Sequence, residues 1–220
     1  MISVAIIATD LACVLPVCLD SAKKLSDDVV IVTNSSHKFV NYSDQKNYVA
    51  SKCKYDWVLS LDADEWLEKE LVKEIESIRD WKYGGFLIKR KNTIFGKVMR
   101  HTNWEPEADK HIWLYNRKMG RWIGDVHEEV VVSGQIGELQ NYKMHENYTS
   151  VEQFISKMND YTNREEKAQN PFYDFLRRYI WHLGFLDDWH GLFLSYLVMV
   201  YHLVVWVKLW EKKNSSLPSS

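Results

Sequence analysis

The chain of 220 residues has little cysteine: Cys13, Cys18 and Cys53 cannot all pair, and none stands in a C-x-x-C. They read as reduced thiols of a cytosolic protein rather than a disulfide scaffold. An excess of positive charge is also missing. The formal net charge of −2 argues against a nucleic-acid partner. No basic segment precedes the apolar start Met1 to Ala8, and Asp10 follows at once, so the N-terminus reads as a first buried strand rather than a signal peptide. No internal repeat is visible. What the chain does have is 46% hydrophobic residues, enough for a sizeable core, with ten tryptophans and twelve tyrosines. Such aromatics enrich sugar-contacting surfaces and membrane interfaces, and they also fill ordinary cores.

The first ~80 residues alternate strand and helix, the pattern of a βαβ fold. Strands are expected at Ile2 to Ala8, Val29 to Thr33 and Trp57 to Leu61, and helices after Pro16 and over Asp44 to Lys52. Leu67, Leu71, Ile75 and Ile78 recur at helical spacing and predict an amphipathic helix. From 84 to 146 the pattern turns to strands, at Phe86 to Lys89, Ile112 to Tyr115 and Glu129 to Ser133. The last third is helical. Ser150-Val151-Glu152-Gln153 is a capping box, Asn170-Pro171 starts a further helix, and Gly184 and Gly191 bracket a turn.

Two acidic clusters carry the candidate chemistry. Asp62-Ala63-Asp64 ends the apolar strand Trp57 to Leu61, where two hard oxygen ligands suit a divalent cation that also holds a diphosphate. The same spacing is common in solvated turns. Asp125-Val126-His127-Glu128-Glu129 joins a histidine, a possible metal ligand, to carboxylates able to act as general base, or it is a solvated loop entering a strand. It is not a zincin motif, because position 131 is Val. His145-Glu146 repeats the His-Glu pair, and a metal hydrolase using His127 and His145 is the third option.

Set side by side, these pieces carry a resemblance. Ser43-Asp44-Gln45-Lys46-Asn47, then Trp57 to Glu65, Lys89-Arg90-Lys91-Asn92, Phe95-Gly96-Lys97, Val126-His127-Glu128 and Gly184-Phe185-Leu186-Asp187 follow in the order found in glycosyltransferase family 2. The chain resembles in particular the branch related to lipopolysaccharide inner-core β-glucosyltransferases, over about residues 43 to 210. The resemblance implies an α/β fold of GT-A, Rossmann-like type, an inverting mechanism, a nucleotide-diphosphate-sugar donor, and Mg²⁺ or Mn²⁺ at Asp62 and Asp64, with His127 as a further candidate ligand. It makes Glu128 the first choice for base, with Asp125 and Glu129 as alternatives. Lys46, Arg90 and Asp10 become candidate donor contacts. The chain also departs from the family. No acidic residue lies between Asp28 and Asp44, where the family carries an acidic nucleotide-holding loop, so the nucleotide half is expected to be shortened.

Residues 1–146 are therefore expected to form the catalytic domain, 147–213 a helical region and 214–220 a disordered tail. Leu192 to Val207 is nearly all apolar and flanked by Arg177, Arg178, Lys208, Lys212 and Lys213. It reads as a hairpin lying on an anionic inner leaflet, as a core helix, or as a membrane span. The expected partners are a nucleotide sugar, a glycan or lipid-linked acceptor and the inner face of the cytoplasmic membrane. The second reading is a non-catalytic, membrane-associated member of the same fold acting in glycan assembly.

Overall fold

The computed structural model describes residues 1–13, 15–78, 82–125 and 128–215. These form two compact units, one of Met1–Lys91 with Asp109–Glu146, the other of Asn92–Ala108 with Asn147 onward.

The first unit begins with β1 (Ile2–Ala8), buried along its whole length. Helix α1 (Pro16–Leu25) starts on a proline whose missing N–H costs nothing in a first turn. Strand β2 (Asp28–Thr33) then pairs parallel with β1. Its end turns at once, with Ser36 and His37 N–H groups donating to the Thr33 carbonyl at 3.0 Å. Helix α2 (Tyr42–Lys52) follows directly, capped by the Asn41 side chain, which accepts from Asp44 N at 2.8 Å. No helix or strand lies between β2 and α2, in keeping with the shortened nucleotide half. Strand β3 (Trp57–Asp62) pairs parallel with the other side of β1.

After the short β4 (Glu65–Leu67) and α3 (Lys69–Ser77) the chain turns antiparallel. The remaining strands are β5 (Gly85–Ile94), β6 (Lys97–Val98), β7 (Lys110–Asn116), β8 (Gly120–Ile123), β9 (Glu129–Val132) and β10 (Ile136–Tyr148). The main sheet runs β2-β1-β3-β7-β5-β10-β4, with β6 beside β5; β8 and β9 form a separate ribbon. β3 is thus parallel to β1 on one side and antiparallel to β7 on the other. The α/β expectation holds. Strand β10 goes beyond the strands named from sequence, because IGELQNYKMHENY lacks clean apolar alternation.

In the second unit α4 (Val151–Thr162) opens as expected, with Gln153 N donating to Ser150 Oγ at 3.1 Å. The capping box closes one residue early, since Gln153 Oε1 accepts from Thr149 N rather than from Ser150. Helix α5 (Pro171–Leu176) is capped by Asn170 and runs into a π-helical turn, Arg177–Trp181. A 3-10 turn, Gly184–Asp187, leads into α6 (Asp188–Ser215), a helix of 28 residues. Gly191 does not end the turn, as the sequence suggested, but lies within α6. A Cβ there would fall 1.8 Å from the Gly184 carbonyl oxygen, so only glycine lets the two backbones approach. Asn214 and Ser215, expected in a disordered tail, complete α6; the rest of that expected tail, 216–220, lies outside the described residues.

Candidate active site

Asp62 is the last residue of β3, at the carboxyl edge where the sheet changes from parallel to antiparallel pairing. Clefts in open α/β sheets form at such edges. In register, Asp62 stands beside Ile7 of β1, and the chain leaving β1 carries Asp10, which is exposed.

Lys46 lies on the buried face of α2, with 1% of its side chain exposed. Its Nζ is 2.9 Å from Glu128 Oε1 and 3.3 Å from Asp62 Oδ1, and it stands 4.5 Å from the ring centre of Trp122. Burial alone would lower its pKa, but the carboxylates of Asp62, Glu128 and Glu65 raise it above the ordinary lysine value. The ammonium therefore joins the two acidic clusters, 82 residues apart for Lys46 and Glu128. Lys46 is not an open phosphate contact: its charge is already held between two carboxylates and over an indole.

Asp62 is desolvated, which raises its carboxyl pKa despite Lys46. Its Oδ1 is buried and has no hydrogen-bond partner among the described residues, since the lysine lies at ion-pair distance but off line. Asp64 is more open, with Oδ2 3.6 Å from His145 Nε2, and its carbonyl accepts from Glu146 N at 3.0 Å. His145 of β10 is opposite Glu65 in the β4 register, so the His145-Glu146 pair joins Asp64.

Beneath this edge is an ionic layer that sequence reasoning missed, with Glu65 and Lys143 fully buried and Arg90 and Asp109 largely so. Glu65 Oε2 accepts from Lys143 Nζ at 2.6 Å and from Asp62 N at 2.8 Å, and Glu65 Oε1 accepts from Arg90 at 3.0 Å. Arg90 Nε also donates to Asp109 at 2.9 Å. Arg90 is thus paired with two carboxylates inside the unit; Lys91 pairs likewise with Glu68 at 2.8 Å. Lys143 Nζ sits 3.2 Å from the Trp113 ring centre. Burial lowers the Lys143 pKa to about 8, and Glu65 is held below the usual carboxylate range because Lys143 and Arg90 outweigh its own desolvation. The signal was present in Glu65, directly after the acidic pair, but its partner lies on the unrecognised β10.

Of the remaining candidates, Asp125 is exposed and accepts from Asn41 Nδ2 at 2.6 Å, while Glu129 is exposed at the start of β9. His127 lies outside the described residues. Among the described residues no three His, Cys, Asp or Glu side chains gather as a metal cage. Two carboxylates, Asp62 with a buried oxygen beside the Lys46 ammonium and Asp64 more open, still fit a cation that keeps several waters and shares phosphate oxygens. Cys18 and Cys53 are buried, their thiols pushed up to about 12 and about 11 mainly by burial, which disfavours the thiolate a metal would need.

Fold and site together define a mixed α/β protein with a paired-carboxylate site at the switch of its sheet. No protein-family model matches the chain. It is similar to the "Uncharacterized glycosyltransferase" of Rickettsia conorii, at 29% identity over 184 residues covering 68% of this chain and 63% of that protein. The Rickettsia typhi protein of the same description is 29% identical over 180 residues, covering 68% of this chain and 61% of its own length. The chain thus spans about three-fifths of these relatives. Among solved structures, S. aureus TarS 1–349 in complex with UDP aligns with a TM-score of 0.45 and 12% identity, over 99% of this chain and 93% of TarS 1–349.

Proposed function

We propose that this chain is a glycosyltransferase of GT-A, family 2-like type, of the lipopolysaccharide-core branch. It would move a sugar with inversion from a nucleotide-diphosphate donor to a cell-surface glycan or lipid-linked acceptor. The observation that carries the reading is Lys46, whose ammonium holds Asp62 of the D-x-D at 3.3 Å and Glu128 at 2.9 Å in one site. The names borne by the rickettsial relatives support it.

Asp62 and Asp64 are the residues that would hold Mg²⁺ or Mn²⁺, and the cation would neutralise charge on the leaving diphosphate. Glu128 is the base that takes the proton of the acceptor hydroxyl. Lys46 fixes the position of Glu128 relative to Asp62, and Trp122 covers the ammonium from water. Asp10, at the same sheet edge, is the donor contact that remains open to solvent.

The test is thermal denaturation with nucleotide diphosphates, with and without Mn²⁺, on the native chain and Asp64→Ala. Native-state binding must raise the melting temperature. A metal-dependent rise lost in Asp64→Ala is expected. No metal-dependent rise with any nucleotide diphosphate would sink the enzyme reading and leave the non-catalytic one.

A further inference from the structure

Helix α6 has two faces of different kind. Gly191, Leu194, Ser195, Val198, His202 and Val205 are buried, and at 3.6 residues per turn they share one side. Trp189, Phe193, Tyr196, Val207 and Trp210 lie exposed on the other side, Trp189 by 69% and Trp210 by 66%, and Trp206 is exposed on the flank between the two faces. From Trp189 to Trp210 that outer face carries no charge; the intervening Val200 and Leu203 on it are apolar too. The helix is long and apolar enough to cross a membrane, yet only 22% of its apolar stretch is buried. Such an uncovered face needs an occupant.

We infer that the outer face of α6 is an in-plane docking surface for an anionic lipid leaflet, embedded on one side only. Three observations select this occupant and this depth. First, tryptophan stands at both ends of the stripe, with aliphatic and phenyl groups between, the distribution that suits the headgroup boundary. Second, the end of α6 is net cationic, with Lys208, Lys212 and Lys213 against Glu211. Lys208 and Lys212 donate to neutral oxygens of Asn159, Thr162 and Asn163, which satisfy their N–H groups without cancelling their charge, and that charge attracts anionic headgroups. Arg177 and Arg178, the basic flank suggested by sequence, do not add to it, because both donate to buried Asp174 at 2.6 Å.

Third, the inner side of α6 is tied to charged groups of its own unit. Tyr201 Oη donates to Glu165 at 2.7 Å, and His202 Nε2 lies 3.5 Å from Asp174 Oδ2. A helix ringed by acyl chains could not keep these polar partners on one flank. Lipid therefore covers the tryptophan face and not the histidine face.

The experiment is co-flotation of the full chain with phosphatidylcholine vesicles and with vesicles containing phosphatidylglycerol. Tryptophan quenching by lipids brominated at shallow or deep acyl positions reports depth. Binding is expected with the anionic vesicles and weaker with the neutral ones, with quenching strongest from shallow bromines. Phe193→Glu and Trp206→Glu should each weaken binding by roughly tenfold, from the loss of one large apolar contact. Lys212→Glu should lower binding at low salt and not at high salt. Unchanged circular dichroism and melting temperature in these variants separate lost docking from lost folding. Strongest quenching from deep bromines would overturn the in-plane reading in favour of a span. A dimer in lipid-free buffer that the same substitutions dissociate, with no vesicle binding, would assign the face to a second copy instead.

Discussion

In the first unit the least exposed side chains include Lys46, Glu65 and Lys143; in the second, some of the most exposed are Trp181, Trp189 and Trp210. Each unit inverts the usual sorting of charge outward and apolar groups inward. The first inversion is relieved internally. Every charge in the Glu65 layer has a partner within 3.0 Å, and two indole faces cover the ammonium groups. Among the described residues of the second unit nothing covers the tryptophan face of α6. A buried ion pair adds little net stability over an apolar replacement; here Glu65 also accepts from Asp62 N, so the layer fixes the end of β3.

The largest expected effect is on turnover. Glu128→Gln keeps the shape of the side chain but removes the base, and should lower the turnover rate by about 10²- to 10⁴-fold while nucleotide-diphosphate binding is kept. Lys46→Met should also lower turnover, through a misplaced Glu128, and Lys46→Arg should restore part of it. Equal activity in Lys46→Met and the native chain would mean that the buried ammonium is structural only.

Next comes stability of the first unit. Glu65→Ala strands Lys143 in the interior and leaves Arg90 with Asp109 alone, and about 3–5 kcal/mol should be lost in urea denaturation. Loss of under ~1 kcal/mol would show that water reaches the layer and would break the contrast between the units. The pH dependence has a definite sign. Glu65 titrates well below 4.5 when folded, so its contribution is complete above about 4.5 and is lost as pH falls below that value. Lys143 is depressed from 10.5 to about 8, so the unfolded chain binds more protons between those values and stability rises with pH across that window. Urea midpoints over pH 3 to 5 and 8 to 10.5 check both limbs, and Glu65→Gln should flatten the acid one.

A smaller effect tests the second unit. Gly191→Ala forces the Gly184 carbonyl and the α6 backbone apart, and should cost about 1–3 kcal/mol in stability by overpacking.

The difference between the units also governs what was legible in the sequence. Strands β1, β2 and β3 are near-continuous apolar runs ending in turns, so their limits fall within a residue or two of expectation. The caps at Asn170 and Ser150 were legible because capping is local chemistry. Strand β10 was not, since half its side chains serve polar partners: Lys143 faces Glu65, and His145 faces Asp64. Missing that strand hid the ionic layer. The acidic pair was readable from its place at a strand end, but the bridge to Glu128 was not. Lys46 is one of two lysines in a weakly amphipathic helix, and only tertiary packing shows which one turns inward.

The smallest prediction compares one device in both units. Asn41 and Asn170 each cap a helix, accepting from Asp44 N at 2.8 Å and from Phe172 N and Tyr173 N at 3.1 Å. Replacing either by Ala should cost ~1 kcal/mol of stability. The consequences for turnover should differ. Asn41 starts the helix that carries Lys46, and its Nδ2 also donates to Asp125 at 2.6 Å. Fraying there loosens the Lys46–Glu128 contact, so Asn41→Ala should lower turnover by a few-fold, with donor binding changed less. Asn170 starts α5, which bears none of the candidate catalytic groups, so Asn170→Ala should leave turnover of the folded chain unchanged. Equal losses of turnover in both variants would show that the site responds to global stability rather than to the placement of α2.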